Sequence, residues 1–236
     1  MHAGTSRIWV AQPLKRGLCL AVLWLAWASV AGAQTLSYTV DFRGSRVATQ
    51  QVTLAFADGA LTARSEFAAE LPVFVAHHRL AEDLSVTYAT NGNVLKIRSK
   101  IVDGARQVEV NADVESDGVL RVIRTEMAGV TTNFIAREDY DFNSLAIYGN
   151  APSNFIPSNA SPARVLDVAE GRVVPVTLST SLESTTFERQ NLTTVHTVWT
   201  EGINVSHTWH PERFSNLPQR YIRQTSEGEF TFTLIR

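Results

Sequence analysis

The chain has almost no cysteine. Its single one, Cys19, lies in an N-terminal apolar run of the 236-residue sequence. After that run the sequence has no thiol for a disulfide, for covalent catalysis or for metal binding. Secreted eukaryotic domains often carry disulfides, whereas a cysteine-free exported chain is typical of the bacterial periplasm. The composition therefore favours a bacterial exported protein.

The N-terminal apolar run is too short for a comfortable membrane span. It covers 13 residues, Gly17–Ser29, whereas a transmembrane helix needs roughly 20. Basic residues precede it and the small residues AGA (31–33) follow it, which is the order of a signal peptide. We interpret residues 1–33 as a leader cleaved after Ala33, with residues 34–236 forming one periplasmic or secreted domain. A retained N-terminal anchor is the alternative.

An excess of positive charge is also missing. The predicted leader carries three basic residues and no acidic ones, which leaves 18 Lys+Arg against 23 Asp+Glu, a formal charge of −5. This balance argues against nucleic-acid binding and against binding to anionic membranes through overall charge. After cleavage no apolar run remains that predicts a transmembrane helix.

Common catalytic and cofactor motifs are absent from the sequence. It contains no G-x-S-x-G, H-E-x-x-H, G-x-G-x-x-G or G-x-x-x-x-G-K pattern. The stretch EDYDFN (138–143) places oxygen ligands at alternate positions, but a calcium loop that starts at Asp139 would have Ser144 where glycine is required. We therefore predict no catalytic residue, no cofactor and no metal, and favour a non-enzymatic role.

What the sequence does contain is alternation with a period of two. LSYTVDF (36–42), VLKIRSKI (94–101), VEVNADV (108–114) and FTFTLI (230–235) each place apolar residues on one face. Turn pairs such as Asp58-Gly59, Asn91-Gly92, Asp103-Gly104 and Asp117-Gly118 separate these runs. We predict an all-β fold, an antiparallel up-and-down meander of about ten to twelve strands curled into an open half-barrel or barrel.

One long segment, residues 137–165, breaks the alternation. It is rich in Asn, Ser and Pro and shows no sustained period. Long irregular segments of compact domains are often lids or binding loops. We predict that it covers the apolar concave face of the sheet, either as a lid, as a fixed cover or as a mobile loop.

The layout resembles an uncharacterised family of exported bacterial all-β proteins, of the domain-of-unknown-function class. The likeness is carried by YTVDFRGSRVATQQVTLAF (38–56), by HHRLAEDLSVTYATNGNVL (77–95) and by RVLDVAEGRVVPVTL (164–178). The positions that correspond are His78, Glu82, Asn91, Gly92, Leu166, Asp167, Gly171, Pro175 and Val176. The resemblance implies a lipocalin-like or lipoprotein-carrier-like sheet and brings no known activity. REDYDFNSLAIYGNAP (137–152) departs from the pattern.

The stretch HTVWTEGINVSHTWHP (196–211) raises the question of a metal or catalytic site. A two-residue turn at Glu201-Gly202 would place His196 directly opposite His207, close enough to share a metal. That turn requires a positive φ at Glu201, which glutamate tolerates poorly. A three-residue turn over residues 200–202 requires it only at glycine.

The three-residue turn pairs Trp199 with Ile203 and separates apolar from polar residues better, so we prefer it. In that register His196 and His210 face away from His207, and no metal site is expected. His207 then lies on the apolar face of the hairpin. The predicted ligand-binding residues are Trp199, Val205, His207 and Trp209, with Phe155 and Ile156 from the irregular segment.

The sequence therefore predicts an exported, non-enzymatic binding or envelope protein. The expected partner is a lipid or another apolar small molecule on the concave face, or a protein of the cell envelope that pairs with an exposed edge strand. An outer-membrane β-barrel is one alternative. An enzyme with an unrecognised site near His207 or His78 is the other.

Overall fold

The computed structural model describes residues 32–73, 76–148, 158–187, 189–211, 217–225 and 228–235. These residues form fifteen β-strands and two 3-10 turns, and no α-helix occurs among them. The strands are β1 (Gly32–Phe42), β2 (Ser45–Ala57), β3 (Ala60–Val73), β4 (Ala76–Tyr88), β5 (Val94–Asp103), β6 (Arg106–Val114), β7 (Leu120–Glu126), β8 (Gly129–Ile135), β9 (Phe142–Asn143), β10 (Ser158–Asp167), β11 (Arg172–Phe187), β12 (Gln190–Glu201), β13 (Asn204–Pro211), β14 (Arg220–Thr225) and β15 (Gly228–Ile235).

All fifteen strands belong to one meander sheet. Its two unpaired edges are β8 and β9, which follow each other in the middle of the chain. Strands that follow each other in sequence are paired from β1 to β8 and from β9 to β15, and β1 also pairs with β15. Only β9 and β10 run parallel to each other. The sheet is not closed, because β8 and β9 form its two edges. The predicted all-β antiparallel meander is confirmed, with more strands than expected.

Alternation builds a continuous apolar core on one face of the sheet, which we call the inner face. Tyr38, Val40 and Phe42 alternate along β1 and are buried, and they continue laterally into Phe230 and Phe232 of β15. The core extends across β2–β7 through Val52, Ala63, Val86, Ile97, Val110 and Val122. The period-two pattern predicted these inward faces correctly.

Tight turns with left-handed residues join most of the strands. Asp58 and Gly59 have φ angles of 51° and 74° and connect the paired residues Ala57 and Ala60, as predicted. The same geometry occurs at Arg43-Gly44, with φ angles of 50° and 81°. Arginine rarely adopts this conformation, which is why the sequence did not indicate that turn.

The sheet curls around its inner face. Arg223 of β14 lies five strands away from Glu82 of β4 in the sheet. In a flat sheet this separation would be roughly 24 Å. Nevertheless, Arg223 Nη2 donates a hydrogen bond of 2.8 Å to Glu82 Oε1. Such a contact requires strong curvature, and an open half-barrel supplies it.

The turn between β10 and β11 packs against the inner face of β5–β7. Ser99 Oγ donates to the carbonyl oxygen of Ala169 at 3.2 Å, and Arg106 and Arg124 both bind Glu170. A Cβ on Gly171, whose φ is 62°, would lie 2.7 Å from a methyl group of Val110. This turn therefore helps to fill the inner space of the N-terminal strands.

The segment predicted to be irregular, residues 137–165, is only partly so. Residues 158–165 belong to β10, because Ser161–Asp167 pair continuously with β11. Within residues 137–148, Tyr140, Leu145 and Tyr148 are buried in the core. This part therefore packs against the inner face, whereas residues 149–157 lie outside the described residues. The predicted leader also lies outside them, apart from Gly32 and Ala33, with which β1 begins.

Candidate functional site

The hairpin of β12 and β13 has a different register from the predicted one. Glu201 pairs with Asn204, so Gly202 and Ile203 form a two-residue turn. Gly202 has a φ of 58° and occupies the first turn position, where type II′ hairpins require glycine. The prediction assumed that Ile203 is buried in a strand, but this residue is 80% exposed. The three-residue turn was therefore the wrong choice.

Three predicted ligand-binding residues lie on the outer face of the sheet, opposite the core: Val205, His207 and Trp209. Their position follows from Thr208, which pairs with Tyr221 of the core and therefore faces inward. Strand neighbours face opposite sides, so the residues next to Thr208 face outward. The prediction that these residues line the concave face is wrong.

Trp199 lies on the inner face, because it pairs with Ser206, which pairs in turn with the inner residue Arg223. The structure therefore separates Trp199 from the other hairpin residues of the predicted site. Phe155 and Ile156, the remaining predicted contacts, lie outside the described residues.

His196 and His207 converge on the outer face, where the sequence predicted that they diverge. His196 Nε2 lies 3.0 Å from His207 Nδ1, and His196 Nδ1 lies 2.6 Å from Glu183 Oε1. Trp209 Nε1 donates to the second oxygen of Glu183 at 3.2 Å, and its ring stacks on His196 with centroids 4.4 Å apart. We call these four residues the histidine cluster.

The carboxylate of Glu183 fixes the protons of the histidine cluster. A carboxylate only accepts hydrogen bonds, so His196 Nδ1 carries a proton and donates it. When His196 is neutral, its Nε2 accepts a hydrogen bond from His207 Nδ1, and the following description applies to that state. The remaining lone pair lies on His207 Nε2, which has no hydrogen-bond partner among the described residues. Burial, and then the neighbouring His196, lower the pKa of His207, which favours its neutral form.

The chemistry available to the histidine cluster is that of a proton acceptor. Burial alone would raise the pKa of Glu183, but hydrogen bonds from His196 and Trp209 outweigh it and lower this pKa. The carboxylate is therefore ionised and orients His196, as in a carboxylate–histidine relay. Nowhere in the described part of the chain do three or more His, Cys, Asp or Glu residues converge as metal ligands.

A second arrangement occupies the inner face of the C-terminal strands. Thr197 Oγ1, Trp199 Nε1 and Arg223 Nε are buried and lack a hydrogen-bond partner. Thr197 and Trp199 are successive inward positions of β12, and Ser206 joins Trp199 to Arg223 in one lateral row. The backbones of Trp199 and Arg223 therefore lie roughly 10 Å apart. We call Thr197, Trp199, Ser206 and Arg223 the donor site.

Unpartnered donors are concentrated in this region. Among the described residues only one further buried side-chain atom lacks a partner, Arg124 Nε on β7. A buried polar group without a partner costs about 1–3 kcal/mol, and each case in a folded protein calls for an explanation. Three such atoms on two nearby strands therefore mark a candidate binding site.

Apolar surfaces flank the donor site on both sides. On one side the Trp199 ring packs edge-on against Phe142, with ring centroids 5.5 Å apart, beside a small cluster of Val165, Val174 and Val176. On the other side Tyr221 stacks on Phe232 of the main core with centroids 4.0 Å apart. Hydroxyl side chains lie between the two surfaces, namely Thr180, Thr197, Thr208 and Ser206.

The positive charge of Arg223 is already balanced by Glu82. The two side chains form an ion pair, and the guanidinium lies over the Phe230 ring at 5.6 Å from its centroid. Burial alone would lower the pKa of Arg223, but the carboxylate of Glu82 raises it. The ion pair leaves the donor site without net charge, while Arg223 Nε keeps a proton to donate.

His78 pairs with an acidic residue of the next strand, and its sequence neighbours Glu82 and Asp83 have other partners. His78 Nε2 lies 2.5 Å from Asp103 Oδ1, at the end of β5. Asp83 pairs with Arg64 on the outer face, and Glu82 binds Arg223. His78 therefore acts with Asp103 rather than with the acidic residues next to it in the sequence.

The exposed edge strand that a protein partner would need is β8. Its sequence, GVTTNFI, has no charged residue, and all but the last residue are exposed. Val130 and Phe134 are 65% and 63% exposed on the outer face. An uncharged edge of this kind can pair with a strand of another chain, and the partner itself stays a prediction.

Comparisons with protein-family models, with curated proteins and with solved structures return no match. The resemblance to the exported bacterial family therefore stays a prediction. None of the helical turns in the described residues has the length and apolar composition of a membrane-spanning helix.

Proposed function

We propose that this chain is an exported bacterial protein that binds an apolar ligand against the inner face of strands β10–β14. The donor site carries the proposal. Its three buried atoms have no hydrogen-bond partner among the protein's own groups, and a bound molecule would supply one. Binding sites for small molecules are mostly apolar with a few convergent polar groups, and the donor site between its two apolar surfaces has this composition.

Strand order supports the same location. The sheet opens between β8 and β9, so the C-terminal strands end at an edge and are not enclosed by further strands. A ligand can approach the inner face of β10–β14 from this edge. The inner face of the N-terminal strands carries most of the apolar side chains of the main core.

Extraction and binding measurements test the proposal. The purified full-length chain is extracted with organic solvent and the extract is analysed by mass spectrometry. The delipidated protein is then titrated with a fluorescent dansyl-labelled fatty acyl probe. We expect a co-purifying apolar molecule and saturable binding of the probe. A protein that yields no such molecule and does not bind the probe would contradict the proposal.

Export is tested separately. We expect release of the protein by osmotic shock of the producing bacterium and an N-terminus at Gln34. Recovery of the uncleaved chain in the cytoplasmic fraction would contradict this part of the proposal and leave ligand binding unaffected.

The histidine cluster favours a second candidate function, a reaction in which His207 Nε2 accepts a proton. The relay from Glu183 through His196 is the observation behind it. Hydrolysis of p-nitrophenyl esters is a suitable first assay, with His207→Ala and Glu183→Gln as variants. If a measured turnover falls strongly in both variants and the Trp199→Phe protein retains it, the cluster is catalytic. A turnover unchanged in His207→Ala excludes this role.

A further inference from the structure

We propose that the ligand carries an uncharged hydrogen-bond acceptor, the carbonyl of an ester or amide, which binds to Trp199 Nε1 and Arg223 Nε. This inference rests on the proposed binding at the inner face and names the chemical class of the ligand. It follows from the direction of the unpartnered hydrogen bonds and from the charge of the site.

The direction of the hydrogen bonds requires an acceptor. The indole nitrogen of tryptophan and the guanidinium nitrogens of arginine only donate, and a threonine hydroxyl can donate as well. A group that offered only donors would leave Trp199 and Arg223 unpaired. A carbonyl oxygen has two lone pairs and can accept from two donors at once, which matches the two nitrogen atoms of the donor site.

The charge of the site requires that this acceptor be neutral. Glu82 already pairs with Arg223 at 2.8 Å, and its side chain is only 10% exposed. A ligand carboxylate would add an unbalanced negative charge close to Glu82 in a half-buried environment. Burial of an unpaired charge is unfavourable, so an ester or amide fits the site better than a free acid.

The surroundings specify what is attached to the carbonyl. Trp199 lies against Phe142 and the cluster of Val165, Val174 and Val176. An acyl chain bound to the carbonyl would cover these side chains. The whole ligand is therefore a long-chain ester or amide, with its carbonyl at the row of Trp199 and Arg223.

Three probes of equal chain length test the inference on the delipidated full-length protein: methyl tetradecanoate, tetradecanoate and tetradecane. Each competes with the dansyl-labelled acyl probe. We expect the ester to bind about tenfold more tightly than the alkane, since a net hydrogen bond or two provides that factor. The free acid should bind more weakly than the ester.

Two tryptophan variants test whether the preference for ester over alkane depends on Trp199. Trp199 and Trp209 are the only tryptophans among the described residues, and they lie on opposite faces of the same hairpin. Trp199→Phe removes the inner N–H donor and should abolish the preference of ester over alkane. Trp209→Phe is the matched control and should retain it. Thr197→Val, a nearly isosteric change, provides a second inner variant if Trp199→Phe does not fold, and should reduce the preference.

Each outcome is decisive. Equal binding of ester and alkane, or an ester preference that persists in both inner variants, would overturn the inference while the proposed function stands. Tighter binding of the free acid would overturn the neutral assignment. Failure of all three probes and of the dansyl-labelled probe would refute the proposed function, and the inference with it.

Discussion

The inner faces of the two halves of the sheet differ in composition. Across β2–β7 the inner face is mostly apolar, with members such as Val52, Val86, Ile97, Val110 and Val122. Across β11–β14 the inward positions include the polar residues Thr180, Thr197, Ser206, Thr208 and Arg223, beside apolar ones such as Trp199 and Tyr221. Both halves follow the same period-two alternation, so the difference lies in which residues face inward.

This difference assigns separate roles to the two halves. In the N-terminal half the inward side chains pack on one another and on the turn between β10 and β11. In the C-terminal half three inward polar atoms, Thr197 Oγ1, Trp199 Nε1 and Arg223 Nε, are buried without partners, which costs stability. A ligand that pairs with these atoms would offset this cost. We therefore infer that the N-terminal half stabilises the fold and that the C-terminal half binds the ligand.

The largest effect is expected in the N-terminal half. Ile97 is fully buried in the centre of the core. Ile97→Ala should reduce the free energy of unfolding by about 2–5 kcal/mol, through lost burial and a cavity, as measured by urea denaturation. Ester binding by the folded fraction should not change. An effect below about 1 kcal/mol would mean that this half is not the stabilising core.

The ion pair that joins the two halves comes next. Glu82→Gln leaves the guanidinium of Arg223 without its carboxylate and should destabilise the protein by about 2–3 kcal/mol. This is below the effect of a fully buried pair because the Arg223 side chain is 33% exposed. Asp83→Asn on the neighbouring outer position is the control, with an expected change of about 0–1 kcal/mol. Equal effects of the two substitutions would show that the pair does not link the halves.

Asp167 provides a pH-dependent test of the turn that inserts into the N-terminal half. Burial, and then the charge of Glu170, raise the pKa of Asp167 to about 6. Because the unfolded chain releases this proton near pH 4, stability should fall as pH rises from about 4 to 6 and stay lower above it. Asp167→Asn should flatten this dependence and raise the free energy of unfolding at pH 7 by about 1–3 kcal/mol.

The substituted asparagine keeps the relevant acceptor, because a single oxygen of Asp167 receives the backbone N–H groups of both Ala169 and Glu170. Asp113→Asn, at a carboxylate that is 58% exposed, is the surface control. A stability profile between pH 4 and 6 that does not differ between Asp167→Asn and the unaltered protein would contradict the assignment.

The smallest effect on stability is expected at the donor site. Thr197→Val replaces a buried, unpartnered hydroxyl by a methyl group, which should stabilise the ligand-free protein by about 1 kcal/mol. The same change should weaken ester binding. Stability measured with and without methyl tetradecanoate checks both. A destabilised ligand-free protein would show that the hydroxyl has a partner and is not reserved for a ligand.

The sequence predicted the fold better than the site. Alternation and turn pairs such as Asp58-Gly59 are local signals, and they identified the meander and its inward faces. The register of β12 and β13 depends on one turn, and the expectation that Ile203 is buried led to the wrong choice. The signal that was missed is Gly202 at the first position of a two-residue turn.

Contacts between distant parts of the chain explain the remaining gap. Glu82, for example, lies 141 residues before its partner Arg223. No local pattern connects such residues, because only the order of strands and the curl of the sheet bring them together. The donor site has no sequence signal either, because it is defined by buried side-chain atoms that lack a hydrogen-bond partner in the fold.

A hydrogen bond between Trp199 and the ligand carbonyl can be observed through the indole N–H signals of Trp199 and Trp209 in a ¹H–¹⁵N NMR spectrum. Trp199→Phe and Trp209→Phe assign the two signals by their disappearance. Addition of methyl tetradecanoate to the delipidated protein should shift the Trp199 signal downfield, as a new hydrogen bond does, and leave the Trp209 signal in place. A Trp199 signal that does not move at saturation, or a shift confined to Trp209, would contradict a hydrogen bond from Trp199 to the ligand carbonyl.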